Sequence, residues 1–227
     1  FVYVPLSLES LNKTQFVPKK DYSNDKLEPG LLQLCASTEM LLDETKLQTG
    51  QLNEKGLNNV AALRNLIRQQ KVDYDFTYHT LGFDTDVNVI VLSEGKTFLD
   101  ADFGLPLSDQ NQEASGRSTV SDSEICQFRK YLTIARHAEY NIEDNMQQVV
   151  QADFVAMRQS ERQMTGENLH SLLLLARLIS LSEGHITLSP ESWQRAKSLE
   201  SERIRRVNEC KEKMRQQQES VHRARMR

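Results

Sequence analysis

Met40-Leu41-Leu42-Asp43-Glu44 is the stretch from which the fold is predicted. Three apolar residues run directly into two adjacent carboxylates, and a short apolar run of this kind is typical of a strand buried on both faces. In open α/β sheets, ligands bind beyond the carboxyl ends of the strands. We therefore predict a buried strand over residues 40–42 and treat the acidic pair as the first candidate site.

Adjacent acids at a strand end can serve phosphate chemistry. In ATPases the first acid holds Mg²⁺ and the second polarises the attacking water. That chemistry also needs a glycine-rich phosphate loop with a lysine, GxxxxGK[ST], and the 227 residues contain no such motif. The residues alone leave open whether Asp43 and Glu44 form a working Mg²⁺ site or are structural acids at a strand end.

The composition is that of a soluble globular chain, with 38% hydrophobic and 26% charged residues. No apolar run approaches the roughly 20 residues of a membrane span, so no membrane association is expected. Cys35, Cys126 and Cys210 lie far apart and the histidines show no ligand spacing, which predicts neither a disulfide framework nor a metal site. Because the chain begins at Phe1 without methionine, we expect a fragment of a longer protein.

The net charge of −4 conceals a basic C-terminal end. Residues 201–227 carry nine Lys or Arg and four Asp or Glu, a net charge of +5, which leaves −9 on residues 1–200. The acidic body argues against general nucleic-acid binding, whereas the basic end permits weak binding. Three alternatives stay open for residues 201–227: a nucleic-acid contact, a nuclear import signal or, as the default, a solvated helix.

Periodicity predicts a partial α/β sheet in the first half of the chain. Three apolar segments are predicted as strands: residues 1–8, residues 40–42 and residues 87–92. Pro5 makes the first an edge strand or one that ends early, and the polar stretch around Pro18 is predicted as loop. Residues 58–70 have the apolar spacing of an amphipathic helix, and residues 72–78 alternate like a strand, with Gly82 in the turn of a hairpin.

The second half of the chain is predicted to be helical. Ser121 and Glu124 fit a capping box that opens a helix over residues 123–137, and Pro190 suits the first position of the last helix. Two more helices are predicted between them: residues 141–158 and residues 165–184. The helix that starts at Thr165 is apolar nearly all round, so we expect it at the centre of a small bundle, with Gly184 as its cap.

The predicted fold class is therefore α/β plus α. The predicted organisation is as follows: an α/β subdomain over residues 1–107, a flexible linker over residues 108–122, a helical subdomain over residues 123–200, and a basic polar helix or tail over residues 201–227. The linker is predicted because it holds too few apolar residues to bury much surface.

Several segments resemble the minichromosome maintenance helicase subunits, which are AAA+ ATPases. Residues 128–136 (FRKYLTIAR) resemble the LRKYIAYAR helix of their lid, residues 27–34 resemble their LEAGALVLAD segment, and residues 40–44 then fall on the Walker B strand. The resemblance covers most of the chain, with the segments in the family's order. It implies a partial AAA+-like, P-loop-type sheet followed by a helical lid.

The chain departs from the helicase subunits where catalytic groups are expected. The sensor 1 asparagine is replaced near Glu94, the arginine finger falls on Asp102, and the sensor 2 arginine falls on Glu167. Arginines at such positions stabilise charge on the transferring phosphate, and a carboxylate there repels it. The resemblance therefore implies that Asp43 and Glu44 are a relic pair, with no catalytic residue, no cofactor and no metal.

The hairpin that contacts DNA in the helicase subunits is acidic in this chain. No Lys or Arg occurs between Val72 and Glu94, whereas four aspartates do: Asp73, Asp75, Asp84 and Asp86. Attraction to phosphates, the main source of DNA affinity, is thus missing there, and no direct nucleic-acid contact is expected. The acidic hairpin is either a partner surface or, by default, a solvated face.

Shorter segments are similar to a degenerate family related to the helicase subunits, the minichromosome maintenance complex-binding proteins. They include residues 70–76, 93–95 and 195–201. This resemblance implies the C-terminal portion of a nuclear, non-catalytic protein that binds helicase subunits and regulates their assembly, stability or unloading in DNA replication. The alternative is an ATPase-competent subunit of a mixed ring, which would need a phosphate loop before Phe1 and an arginine from a neighbour.

Overall fold

The computed structural model describes residues 1–107, 120–160 and 165–225, with side chains described to residue 216 except that of Ser160. It shows a mixed α/β chain in which the strands come first and long helices follow. The chain divides into two units, Phe1–Phe103 and Gly104–Arg227. Most of the linker predicted at residues 108–122 lies outside the described residues, and the linker stays a prediction.

A parallel sheet of three strands lies at the centre of the first unit. Its order is β1 (Val2–Pro5), β4 (Thr38–Asp43) and β7 (Val87–Leu92), so β4 is the middle strand. All three predicted apolar strands are thus confirmed, although the first is shorter than expected. β1 is an edge strand that ends at Pro5, as its proline predicts.

The two faces of this sheet differ in burial. Met40 and Leu42 are fully buried on the face that packs into the core of the first unit. On the other face Tyr3 and Ile90, which flank Leu41 in the register, are 49% and 50% exposed. The prediction of burial on both faces is therefore wrong for one face, because an apolar run does not reveal whether a second layer covers it.

A second sheet has the order β3 (Lys26–Glu28), β2 (Lys19–Asp21), β5 (Lys71–Asp75) and β6 (Thr80–Asp84). β5 and β6 form the predicted hairpin, but Gly82 lies inside β6, opposite Asp73, and the turn comes earlier. A Cβ atom on Gly82 would lie 3.0 Å from Asp73 Oδ1, so the glycine makes room for that carboxylate. The predicted position of the turn is therefore wrong.

Helices complete the first unit: α1 (Leu8–Lys13), a short 3-10 helix (Glu44–Lys46) and α2 (Glu54–Gln69). The prediction of the α2 helix is confirmed, and it buries Leu63 and Leu66 completely. The buried amide of Asn59 in α2 donates to the carbonyls of Leu11 (2.8 Å) and Thr14 (2.9 Å), which closes the end of α1. The predicted loop around Pro18 is wrong where α1 and β2 lie, whereas residues 14–18 and 22–25 are outside helices and strands as predicted.

Four helices make up the described part of the second unit: α3 (Asp122–His137), α4 (Asp144–Ser160), α5 (Gly166–Ser182) and α6 (Pro190–Arg225). The capping box of Ser121 and Glu124 is confirmed, and Pro190 opens α6. The core of this unit includes Trp193, and α5 contributes Ala176. Leu178 of α5 is 54% exposed, so α5 faces the core of this unit on one side and is not enclosed as a helix at the centre of a bundle would be. No helix in the described residues is long and apolar enough to cross a membrane.

Candidate functional site

Asp43 lies at the carboxyl end of the middle strand, as the sequence predicts, and is 6% exposed. Its Oδ1 atom accepts hydrogen bonds from the Thr45 hydroxyl (2.6 Å) and the Thr45 backbone N–H (3.0 Å). Its Oδ2 atom accepts from the Tyr3 hydroxyl of the neighbouring strand β1 (2.5 Å). Both carboxylate oxygens therefore accept hydrogen bonds from the chain itself, and Asp43 caps the 3-10 helix.

The donors around Asp43 favour its charged form. The Thr45 hydroxyl and then the Tyr3 hydroxyl lower the pKa of Asp43, and the Thr45 N–H adds to this against the opposing effect of burial. The same hydrogen bond raises the pKa of Tyr3, because the phenolic proton is held by the carboxylate. Asp43 is therefore an anion stabilised mainly by neutral hydroxyl groups.

Glu44 is 8% exposed and uses its carboxylate to hold the segment that follows β7. Its Oε1 atom accepts from the Thr97 hydroxyl (2.6 Å), and the Thr97 hydroxyl oxygen accepts from the Leu99 N–H (3.0 Å). Leu99 is itself buried at 2% exposure. The second acid of the pair thus connects the end of β4 to a segment more than fifty residues later in the chain.

The other predicted site residues are all exposed. Glu94 follows β7 by two residues, and since Leu92 at the end of β7 is opposite Asp43 in the register, Glu94 lies at the same edge of the sheet. Asp102 belongs to the same unit. Glu167 lies in the first turn of α5 in the other unit, where a negative charge stabilises the helix terminus. The equivalence of these three acids to lost catalytic groups stays a prediction.

Hydroxyl groups of the chain itself surround the acidic pair at the strand end. Both oxygens of Asp43 and one oxygen of Glu44 accept hydrogen bonds from hydroxyl groups of the chain. Within the described ranges there is no group of three His, Cys, Asp or Glu side chains placed to hold a metal ion. What the geometry does provide is a set of internal acceptors that fix β4, the 3-10 helix and the segment after β7.

Sequence reasoning did not find the donors of this cluster. Thr45 carried a local signal for its backbone N–H alone, because an aspartate commonly accepts from the N–H two residues later. Tyr3 and Thr97 carried none, since they lie 40 and 53 positions away from their acceptors. Their contribution depends on the pairing of β1 with β4 and on the path of the chain after β7.

The other charged regions contain internal partners. In the hairpin, Asp75 pairs with Lys19 (3.4 Å) and Asp84 with Lys71 (3.7 Å). In the described part of the basic C-terminal helix, Arg205 and Arg206 pair with Glu202 (2.7 and 2.9 Å), and they lower the pKa of Glu202 to about 2. Pairing along the helix is typical of a solvated helical face.

Comparison with known proteins gives a consistent result. Residues 1–207 match the family model described as "Mini-chromosome maintenance replisome factor". Curated relatives named "Mini-chromosome maintenance complex-binding protein" are 45% identical to the chain in Homo sapiens, 42% in Danio rerio and 38% in Drosophila melanogaster. These alignments cover 90–91% of the chain and 33–35% of each relative, so the chain spans about a third of their length.

Proposed function

The chain belongs to the mini-chromosome maintenance replisome factor family, and from this premise we propose that it is a non-catalytic module that binds subunits of the mini-chromosome maintenance complex. The printed name of its relatives describes them as binding that complex. The chain spans about a third of the length of those relatives. Under this proposal, that third itself contacts the complex.

One observation carries the non-catalytic part of the proposal. The resemblance to AAA+ proteins aligns Asp43 and Glu44 with the Mg²⁺ and water-activating acids. In this chain the two carboxylates accept hydrogen bonds from Tyr3, Thr45 and Thr97. The acids at Asp102 and Glu167 support the same reading, since a carboxylate in place of an arginine repels phosphate. The module is thus a degenerate AAA+-like scaffold in which former catalytic acids now fix the fold.

Mimicry is the mechanism that follows from this scaffold. A module with helicase-like packing surfaces and no hydrolysis occupies a position among the subunits, and so regulates their assembly, stability or unloading in DNA replication. The site of action under this proposal is the nucleus. Imaging of a fluorescently tagged chain, with and without residues 201–227, tests that location, and exclusion of both forms from the nucleus would contradict it.

The test is capture of purified helicase subunits by the chain, with and without ATP and Mg²⁺. We expect the same subunits at the same yield in both conditions, because the acidic pair has no part in nucleotide binding. The matched variant is Glu44→Gln, with its fold checked by circular dichroism, and it should capture equally well. Capture that requires ATP in the unmodified chain would instead support the alternative, an ATPase-competent subunit of a mixed ring.

A further inference from the structure

The second sheet of the first unit has an open edge at β6. β6 is the last strand in the order β3-β2-β5-β6, and all five of its residues are exposed. Of the four edge strands in the described chain, it is the one exposed at every residue. Two of its side chains are large and apolar: Leu81 is 48% exposed and Phe83 is 43% exposed.

The register of the hairpin shows which backbone groups of β6 point away from the sheet. In an antiparallel ladder, alternate residues bond to the partner strand and the residues between them do not. One backbone hydrogen bond lies just outside each end of the β5–β6 pairing and fixes this alternation. At one end the Phe76 N–H donates to the His79 carbonyl (3.0 Å), and at the other the Thr85 N–H donates to the Gln70 carbonyl (2.8 Å).

Bonded and non-bonded pairs alternate between these two bonds, so the backbone groups of Leu81 and Phe83 are the ones in β6 that bond to β5. The backbone groups that face outward therefore belong to Thr80, Gly82 and Asp84. They form a row of three N–H and three C=O groups, with successive residues about 6.8 Å apart. Such a row is a template for one more strand.

β6 lacks proline and lysine, two of the features that commonly block an exposed edge, and its one charged residue is Asp84 at its end. Proline, lysine or a bulge usually prevents the addition of a strand. β1 carries Pro5 and β3 carries Lys26, whereas β6 (TLGFD) contains neither proline nor lysine. An exposed strand without these features is open to pairing, which is the mode by which many domains bind an extended segment of a partner.

Charge determines what kind of strand fits this edge. Residues 72–86 contain four aspartates and no Lys or Arg. Asp73 and Asp75 pair with Gly82 and Thr80 in the register, so they share a face with Asp84, and the Asp84 side chain is 89% exposed. Lys19 and Lys71 offset part of this charge. The opposite face is apolar, with the rings of Tyr74 and Phe83 centred 4.4 Å apart.

We propose that β6 binds an extended strand of a mini-chromosome maintenance complex subunit, in which apolar residues alternate with Lys or Arg. The basic residues lie on the face of Asp73, Asp75 and Asp84, and the apolar residues lie beside Leu81 and Phe83. The inference rests on the proposed function for the identity of the partner. The binding mode follows from the edge of the sheet alone.

The first experiment compares Thr80→Pro with Thr80→Ala in capture of the purified complex. Proline removes an outward N–H and leaves the bonds to β5 in place, and an edge strand tolerates proline at such a position. We expect capture to fall at least tenfold for Thr80→Pro and less than twofold for Thr80→Ala. Equal capture by both variants would overturn the inference and leave the proposed function standing, whereas no capture by the unmodified chain would overturn both.

The second experiment needs no substitution. Amide hydrogen exchange of the unmodified chain is measured at single-residue resolution, with and without the purified complex. We expect bound complex to slow exchange at Thr80, Gly82 and Asp84, the residues with outward N–H groups. Unchanged exchange at these three amides while the complex is bound would overturn the inference. A dimer of the free chain that is detected by light scattering and dissociated by Thr80→Pro would also overturn the inference, because a second copy would then occupy the edge.

Discussion

Asp43 is a single residue whose charge is stabilised by hydroxyl groups of its own chain. The Thr45 hydroxyl, the Tyr3 hydroxyl and the Thr45 N–H together lower its pKa in the folded state. A carboxyl group with a lowered folded pKa binds fewer protons in the folded chain than in the unfolded chain. Its contribution to stability is therefore present above the unfolded pKa of about 4 and is lost as the pH falls through the folded pKa.

Removal of both hydroxyl donors, in Tyr3→Phe combined with Thr45→Val, should lower the free energy of unfolding at pH 7. The loss should shrink as the pH falls below about 4, because the protonated carboxyl group no longer gains from these donors. Urea unfolding at a series of pH values measures it. The control is Tyr22→Phe, whose hydroxyl donates to the Phe76 carbonyl (3.0 Å), so that its effect should not depend on pH. A loss that is the same at every pH in the double variant would contradict this account.

At the scale of elements, a strand or helix could be predicted when its signal lies in neighbouring residues, and could not when it depends on pairing with distant ones. β4 is a run of apolar residues, and α3 begins with a capping box of Ser121 and Glu124, so both could be predicted. β2 and β3 are three residues each and mostly charged, and they are strands because of their pairing with each other and with β5. The same limit applies to the site, where Asp43 could be predicted and its donor Tyr3 could not.

The turn at Gly30 shows how tightly one element can constrain a residue. The Leu31 and Leu32 N–H groups donate to the carbonyls of Gln15 (3.0 Å) and Phe16 (2.8 Å), which brings the two segments together. A Cβ atom on Gly30 would lie 2.4 Å from the Phe16 carbonyl oxygen and 2.4 Å from the Val17 carbonyl carbon. These are backbone atoms, so the clash cannot be relieved by rotation of a side chain.

Gly30→Ala should therefore lower the free energy of unfolding by about 1–3 kcal/mol, the usual cost of forcing atoms into a packed region. The matched control is Gly95→Ala, because a Cβ atom on Gly95 meets no atom within 4 Å. That change should stay within about 0.5 kcal/mol. Urea unfolding of both variants measures the difference. Equal stability of Gly30→Ala and Gly95→Ala would show that the backbone around Gly30 shifts to make room for the added methyl group.

At the scale of the whole molecule, each unit has its own hydrophobic core. Leu63 lies in the core of Phe1–Phe103, and Leu172 and Trp193 lie in that of Gly104–Arg227. Trp193 is the sole tryptophan of the chain, is 2% exposed and donates its indole N–H to Asp153 (2.8 Å). Its fluorescence therefore reports on the second unit, and circular dichroism reports on both.

Two matched core variants test whether the units unfold independently. Leu63→Ala and Leu172→Ala should each cost about 2–5 kcal/mol in their own unit, since both side chains are at most 3% exposed. Leu172→Ala should shift the urea midpoint of Trp193 fluorescence, whereas Leu63→Ala should shift a transition seen by circular dichroism and leave the fluorescence midpoint in place. If Leu63→Ala moved the fluorescence midpoint as far as Leu172→Ala does, the chain would be one cooperative unit. If the units unfold independently, a variant that destabilises the second unit leaves the β6 edge intact. Binding through β6 can then be assigned to the first unit.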